Sequence, residues 1–156
     1  MGVADRATVL AFLKSNESSD ALDIAGQRER MDKLSEFFPV PEGTSVETAS
    51  VGGVKGEWVR AKNVRKDATL LYLHGGGYVV GSPKSHRHLV AALSEATGIS
   101  VFAADYRMAP EHPFPAAVDD GVAAYKGLID SGLSPSKLAI AGDSAGGGLT
   151  MATLLA

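Results

Sequence analysis

The sequence predicts an α/β fold built on a mostly parallel sheet, and three observations carry that prediction. Short, continuous apolar runs recur at residues 68–73, 99–104 and 138–141. Runs of that length without polar alternation are typical of strands buried on both faces of a parallel sheet. Two amphipathic helical patterns lie between them, so strand and helix alternate, and β-α-β units imply right-handed crossovers with helices on both faces. Finally, glycine is over-represented at 18 of 156 residues against an average of about 7%, and six of the glycines form two triplets, Gly75 to Gly77 and Gly146 to Gly148. Each triplet falls just after one of the apolar runs, where backbone is required to approach something closely.

In chain order, residues 5–14 and 20–38 read as amphipathic helices opened by Asp5 and Asp20, with Val9, Phe12 and Leu13, then Ile24, Met31, Leu34 and Phe38, at apolar positions. Pro39, Pro41 and Gly43 break the pattern and form a linker. Residues 46–51 alternate, Gly52-Gly53 turns, and residues 56–61 alternate again, which predicts a β-hairpin. After the strand at 68–73, a helix over 83–97 places Leu89, Ala92, Leu93 and Ala96 on one face and stops at Gly98. After the strand at 99–104, a second helix begins near Pro115, places Val118, Val122, Tyr125 and Ile129 on one face, and ends before Gly132.

Composition narrows the function classes. The chain has 156 residues, 45% apolar and 21% charged, which fits one ordinary globular domain able to bury a sizeable core. The absence of cysteine excludes disulfide frameworks, thiolate zinc sites and cysteine nucleophiles. A net charge of -3 with scattered Lys and Arg argues against a nucleic-acid partner. No 18-residue apolar run or secretory pattern is present, and Arg6 stands where an N-myristoylation signal has Ser or Thr, so the expectation is a cytoplasmic chain with no membrane partner. His86, His88 and His112 show no metal-ligand spacing.

Two motifs carry chemistry. Gly142-Asp143-Ser144-Ala145-Gly146 is a G-x-S-x-G between a predicted strand and a predicted helix. A nucleophilic serine projects from such a tight turn, the crowding demands glycine two residues away on either side, and helix onset at Ala145 aims free N–H groups at developing negative charge. The bare pattern also arises by chance in glycine-rich loops, and the strand-turn-helix setting is what makes it specific. His74-Gly75-Gly76-Gly77 follows the strand at 68–73, at the carboxyl end where open parallel sheets bind ligands. It reads either as a plain turn or as a loop whose N–H groups face a tetrahedral oxyanion.

At these residues the chain resembles the hormone-sensitive-lipase-like carboxylesterases of the α/β-hydrolases, which carry an HGGG loop and a serine elbow. The likeness extends over roughly residues 45–156, through Gly52-Gly53-Val54 with Glu57-Trp58, the stretch Asp105 to Ala116, and Gly142 to Gly147. It implies an α/β-hydrolase fold, with residues 1–44 as the start of a helical cap and residues 45–156 as the amino-terminal part of the catalytic domain. It implies Ser144 as nucleophile, the N–H groups of Gly76, Gly77 and Ala145 as oxyanion hole, no metal or cofactor, and a short- to medium-chain acyl ester as substrate. His74 would be structural, and Tyr106, Arg107 and Glu111 would brace a loop, with Arg107 and Glu111 as an ion pair.

The family order is Ser, then Asp or Glu, then His, whereas after Ser144 the sequence holds only residues 145–156, with neither acid nor histidine. The later strands of the fold are likewise absent. The 156 residues alone are therefore expected to be inactive and to associate either with a carboxyl-terminal fragment or with themselves. A non-catalytic, receptor-like member of the same family is the alternative reading.

Overall fold

The computed structural model describes residues 23–156 together with Ala7 and Leu10, both of which are helical. The expected helix over 5–14 otherwise lies outside the described residues, as does the expected cap at Asp20. Helix α1 spans Ile24–Leu34 and opens on Asp23, whose carboxylate accepts the Gly26 N–H at 2.8 Å and so satisfies one of the donors left free at a helix start. A 3-10 turn at Ser35–Phe37 ends this segment, so the helix expected over 20–38 is regular only to Leu34.

Strands β1, Ser45–Val51, and β2, Val54–Arg60, form the expected hairpin. Its two-residue turn holds Gly52 and Gly53 at φ 58° and 82°, the left-handed pair that a type I′ turn requires. The chain continues through β3, Arg65–Leu73; α2, Pro83–Thr97; β4, Ile99–Ala104; α3, Ala116–Asp130; β5, Leu138–Gly142; and α4, Ala145–Leu155. The sheet order is β1-β2-β4-β3-β5. Strands β4 and β5 both run parallel to β3, whereas β2 is antiparallel to its neighbours β1 and β4, so the sheet is mixed.

The strand register aligns three chain segments at one end of the sheet. Leu73, the last residue of β3, pairs with Gly142 at the end of β5 and with Ala104 at the end of β4. The loop that begins at His74, the turn at Asp143-Ser144 and the segment from Asp105 thus leave the sheet side by side.

Both faces of the sheet are covered. Leu71, Leu73 and Phe102 point to the side of Ala124, Leu128 and Leu149, while Leu70, Tyr72, Val101 and Ala103 point to the side of Val90 and Ala91. Alternate residues of one strand serve opposite cores, so the strands read as continuous apolar runs.

The helix faces differ from expectation. In α2, Leu89, Ala92 and Ala96 are exposed, and the helix buries Val90, Ala91 and Ser94. Ser94 is fully buried because its hydroxyl accepts the Ala61 N–H at 3.0 Å and donates to the Ile99 carbonyl at 2.7 Å. A satisfied polar group sits inside where periodicity counts it as outside. In α3, Val118, Val122, Tyr125 and Ile129 are half-buried, and the deepest row is Gly121, Ala124 and Leu128. A Cβ on Gly121 would lie 2.3 Å from Thr153 Oγ1, so a missing side chain is what lets α3 lie close to α4. Strand β5 is the edge of the described sheet, paired only with β3. Among the described residues, no helix is long and apolar enough to cross a membrane, and no cluster of acidic residues and histidines is arranged to hold a metal.

Candidate active site

Strand β5 delivers the chain into a turn too tight for side chains at two positions. A Cβ on Gly142 would lie 2.3 Å from the Gly146 carbonyl oxygen and 2.5 Å from that of Leu73, and one on Gly146 would lie 1.9 Å from Leu73 O. Between them Ser144 adopts φ 50° and ψ -120°, a conformation that a non-glycine residue holds only when its surroundings over-determine it. The Gly146 N–H closes the turn on Asp143 O at 2.7 Å. Ser144 is exposed at the amino terminus of α4, and its hydroxyl hydrogen-bonds to no group among the described residues.

The glycine loop is anchored by His74, which is 1% exposed. Its ring stacks on Tyr106 with centroids 4.3 Å apart, and the Tyr106 hydroxyl donates to the His74 carbonyl at 2.6 Å. His74 Nδ1 lies 2.8 Å from the Gly75 carbonyl, which makes Nδ1–H the donor and leaves Nε2 a buried acceptor. Burial pushes the ring pKa down to about 4, so the imidazole is neutral at physiological pH. These contacts serve the loop, in keeping with a structural histidine.

Gly76 sits at φ 121°, where a Cβ would lie 2.0 Å from Val80 O, and Gly77 at φ 63° faces open space. The Gly76 carbonyl is occupied by the Val79 and Val80 N–H groups. The N–H groups of Gly76, Gly77 and Ala145, by contrast, donate to no acceptor among the described residues. The exposed hydroxyl thus belongs to a turn that is joined through the Gly75–Asp143 bond to a loop whose next two N–H groups have no partner, and the N–H that follows the serine is unpartnered as well. Such donors suit negative charge developing on a carbonyl oxygen.

The structure gives contacts to residues that the motifs left without a role. Asp143 Oδ1 accepts the Tyr72 hydroxyl at 2.6 Å and the Gly75 N–H at 2.8 Å, with His86 Nε2 3.6 Å away. Burial opposes ionisation of Asp143, but the hydrogen bonds from Tyr72 and Gly75 outweigh it and hold the carboxyl below its usual range. Burial, and then the bond to Asp143, pushes Tyr72 up, so it remains a phenol that donates. The expected Arg107–Glu111 pair does not form. Arg107 instead grips Asp120 of α3 at 2.7 Å, while Glu111 takes both terminal nitrogens of Arg28 at 2.8 Å. The bond from Arg28 holds the Glu111 carboxyl down at about 2. Arg28 also donates to the carbonyls of Val79 and Ala109, tying α1 to the loops on either side. The resemblance implied Glu111 as the partner of Arg107, but α3 presents buried Asp120, whose carboxylate takes both a bidentate pair and the Arg107 N–H.

Residues 70–156 match the sequence profile of a family described by the alpha/beta hydrolase fold. The chain belongs to the α/β-hydrolases. Within them it falls among the hormone-sensitive-lipase esterases: a solved esterase of the bacterial hormone-sensitive lipase family superposes with a TM-score of 0.92 at 38% identity, over 99% of this chain and 52% of that one. A hormone-sensitive lipase from a metagenome library gives a TM-score of 0.90 at 42% identity, over 97% of this chain and 52% of that one. In sequence, the chain is 49% identical over 138 residues to an acetyl-hydrolase of Streptomyces hygroscopicus, covering 86% of this chain and 44% of that protein. It is 32% identical over 150 residues to an esterase of Acinetobacter venetianus, covering 96% of this chain and 48% of that protein. The chain spans about half the length of the curated relatives it matches.

Proposed function

We propose that this chain carries the nucleophile and oxyanion hole of a carboxylic ester hydrolase. The observation that carries the reading is the strained, exposed Ser144, followed by the free Ala145 N–H at the head of α4, in a turn hydrogen-bonded to the loop that holds the free Gly76 and Gly77 N–H groups. Ser144 Oγ attacks the ester carbonyl carbon, the carbonyl π electrons move to oxygen, and the three donors stabilise the resulting charge. Collapse of this intermediate expels the alcohol and leaves an acyl-enzyme, which water hydrolyses by the same route. The chemistry needs no cofactor. It does need a base to take the Ser144 proton, and none is hydrogen-bonded there among the described residues.

We take short- to medium-chain acyl esters as the substrate class, and the relative named acetyl-hydrolase supports its short end. In this reading residues 1–44 begin a cap and residues 45–156 form the amino-terminal part of the catalytic domain. The Arg28 contacts to Val79, Ala109 and Glu111 support a cap seated on the glycine loop. The test is hydrolysis of a p-nitrophenyl ester series by the intact protein and by Ser144→Ala. The expected result is Ser144-dependent turnover greatest from acetate to hexanoate. A rate rising steadily to long chains and jumping at an oil interface contradicts the substrate class, and no Ser144-dependent turnover favours the receptor-like alternative.

A further inference from the structure

The proposed oxyanion donors come from two segments distant in sequence, the loop after β3 and the head of α4, and their spacing decides whether they act on one atom. The parallel ladder between β3 and β5 carries the segments to the same edge but stops at the Leu73–Gly142 pair. Beyond it, the Gly75–Asp143 bond is the single hydrogen bond joining loop to turn among the described residues. The bridging carboxylate is itself held. Tyr72, 2% exposed in the core beneath, donates to the same oxygen, and His86 of α2 stands 3.6 Å from it. The other oxygen packs so tightly that a Cβ on Gly75 would lie 2.3 Å from it.

We infer that Asp143, adjacent to the nucleophile, is a positioning residue: its Oδ1 sets the distance between the Gly76-Gly77 donors and the Ala145 donor. This rests on the proposed role of Ser144. The requirement is for an acceptor oxygen at that point. An amide carbonyl in Asp143→Asn supplies one to the same two donors, whereas Asp143→Ala supplies none and leaves the Gly75 N–H and the Tyr72 hydroxyl without a partner. Misplacing a reacting geometry by an ångström is enough to lose about 10²-fold in rate, while ground-state binding of the substrate is little affected.

The experiment compares the intact wild-type protein with Asp143→Ala, Asp143→Asn and Tyr72→Phe by two measurements. One is amide hydrogen exchange of a peptide covering residues 74–77, and the other is kcat and KM for p-nitrophenyl acetate. Asp143→Ala is expected to exchange faster at Gly75 and to lose about 10²-fold in kcat with KM within about threefold, and Asp143→Asn to recover kcat to within about tenfold of wild type. Unchanged exchange in Asp143→Ala overturns the inference, as does activity that falls in both Asp143 variants only in proportion to the folded fraction. If Asp143→Ala does not fold, Tyr72→Phe decides: faster exchange at 74–77 supports the bridge and unchanged exchange overturns it. A wild type without Ser144-dependent turnover removes the catalytic reading, yet the exchange data still decide whether Asp143 holds the loop.

Discussion

Gly76 and Gly77 are glycines for different reasons, and the difference has a kinetic consequence. At Gly76 a side chain meets both a left-handed φ of 121° and the Val80 carbonyl 2.0 Å away, so the backbone itself must shift. At Gly77 only the φ of 63° resists a side chain, and nothing stands within 4 Å of the added carbon. Gly76→Ala is therefore expected to lower kcat by about 10²-fold or more, the cost of losing an oxyanion donor, and Gly77→Ala by clearly less, with KM little changed in both. Steady-state kinetics of the two variants in the intact protein checks the order. A reversed order, or losses confined to KM, would show the loop to be pocket wall. At this scale the serine turn was legible because its motif lies within five residues, from Gly142 to Gly146, although part of the crowding that keeps both glycines bare comes from the Leu73 carbonyl of β3. The bridge through Asp143 was not, because its partners Tyr72 and Gly75 stand 71 and 68 residues away and only the β3–β5 ladder brings them near.

Elements were legible where local signals decide them, and their faces less so. Helix α2 begins and ends where its capping Ser82 and left-handed Gly98 place it, since a cap is a local hydrogen-bonding requirement. Its buried face was not legible, because Ser94 replaces an apolar contact with two hydrogen bonds to the Ala61 N–H and the Ile99 carbonyl. Ser94→Ala should therefore destabilise the protein by about 1–3 kcal/mol, the cost of leaving buried polar groups unpaired, whereas Leu89→Ala on the exposed side should cost about 0.5 kcal/mol or less. Urea denaturation of the two variants measures this. Equal losses would restore Leu89 to the core. Helix α3 follows the same logic: Gly121 and Gly127 sit in close contacts, against Thr153 and Gly52, that an apolar count cannot register.

Across the whole molecule, the β3–β5 register brings the two chemistry-bearing loops together, and one side of the described sheet is left open. The free edge of β5 carries unpaired backbone groups, and α4 exposes Met151, Leu154 and Leu155 at 59%, 59% and 83%. An unpaired edge beside an apolar patch invites pairing between chains. Residues 1–156 expressed alone are expected to scatter light as more than a monomer and to hydrolyse p-nitrophenyl acetate no faster than their Ser144→Ala counterpart. A soluble monomer with Ser144-dependent turnover would mean that one of His74, His86, His88 or His112 serves as the base. The fold class was legible at this scale because alternating buried strands and helices leave a period that composition alone does not. The place where the hairpin joins the sheet was not, because the β2–β4 pairing joins segments separated by two intervening elements.

Covalent trapping tests Ser144 as the nucleophile most directly, because it makes no assumption about substrate. The intact protein is treated with a p-nitrophenyl phosphonate, whose adduct places a tetrahedral phosphorus and its oxygen where the reaction intermediate stands, and the modified peptide is mapped by mass spectrometry. The expected result is one adduct, on Ser144, and none in Ser144→Ala. An adduct on another residue, or labelling undiminished in Ser144→Ala, would contradict the assignment.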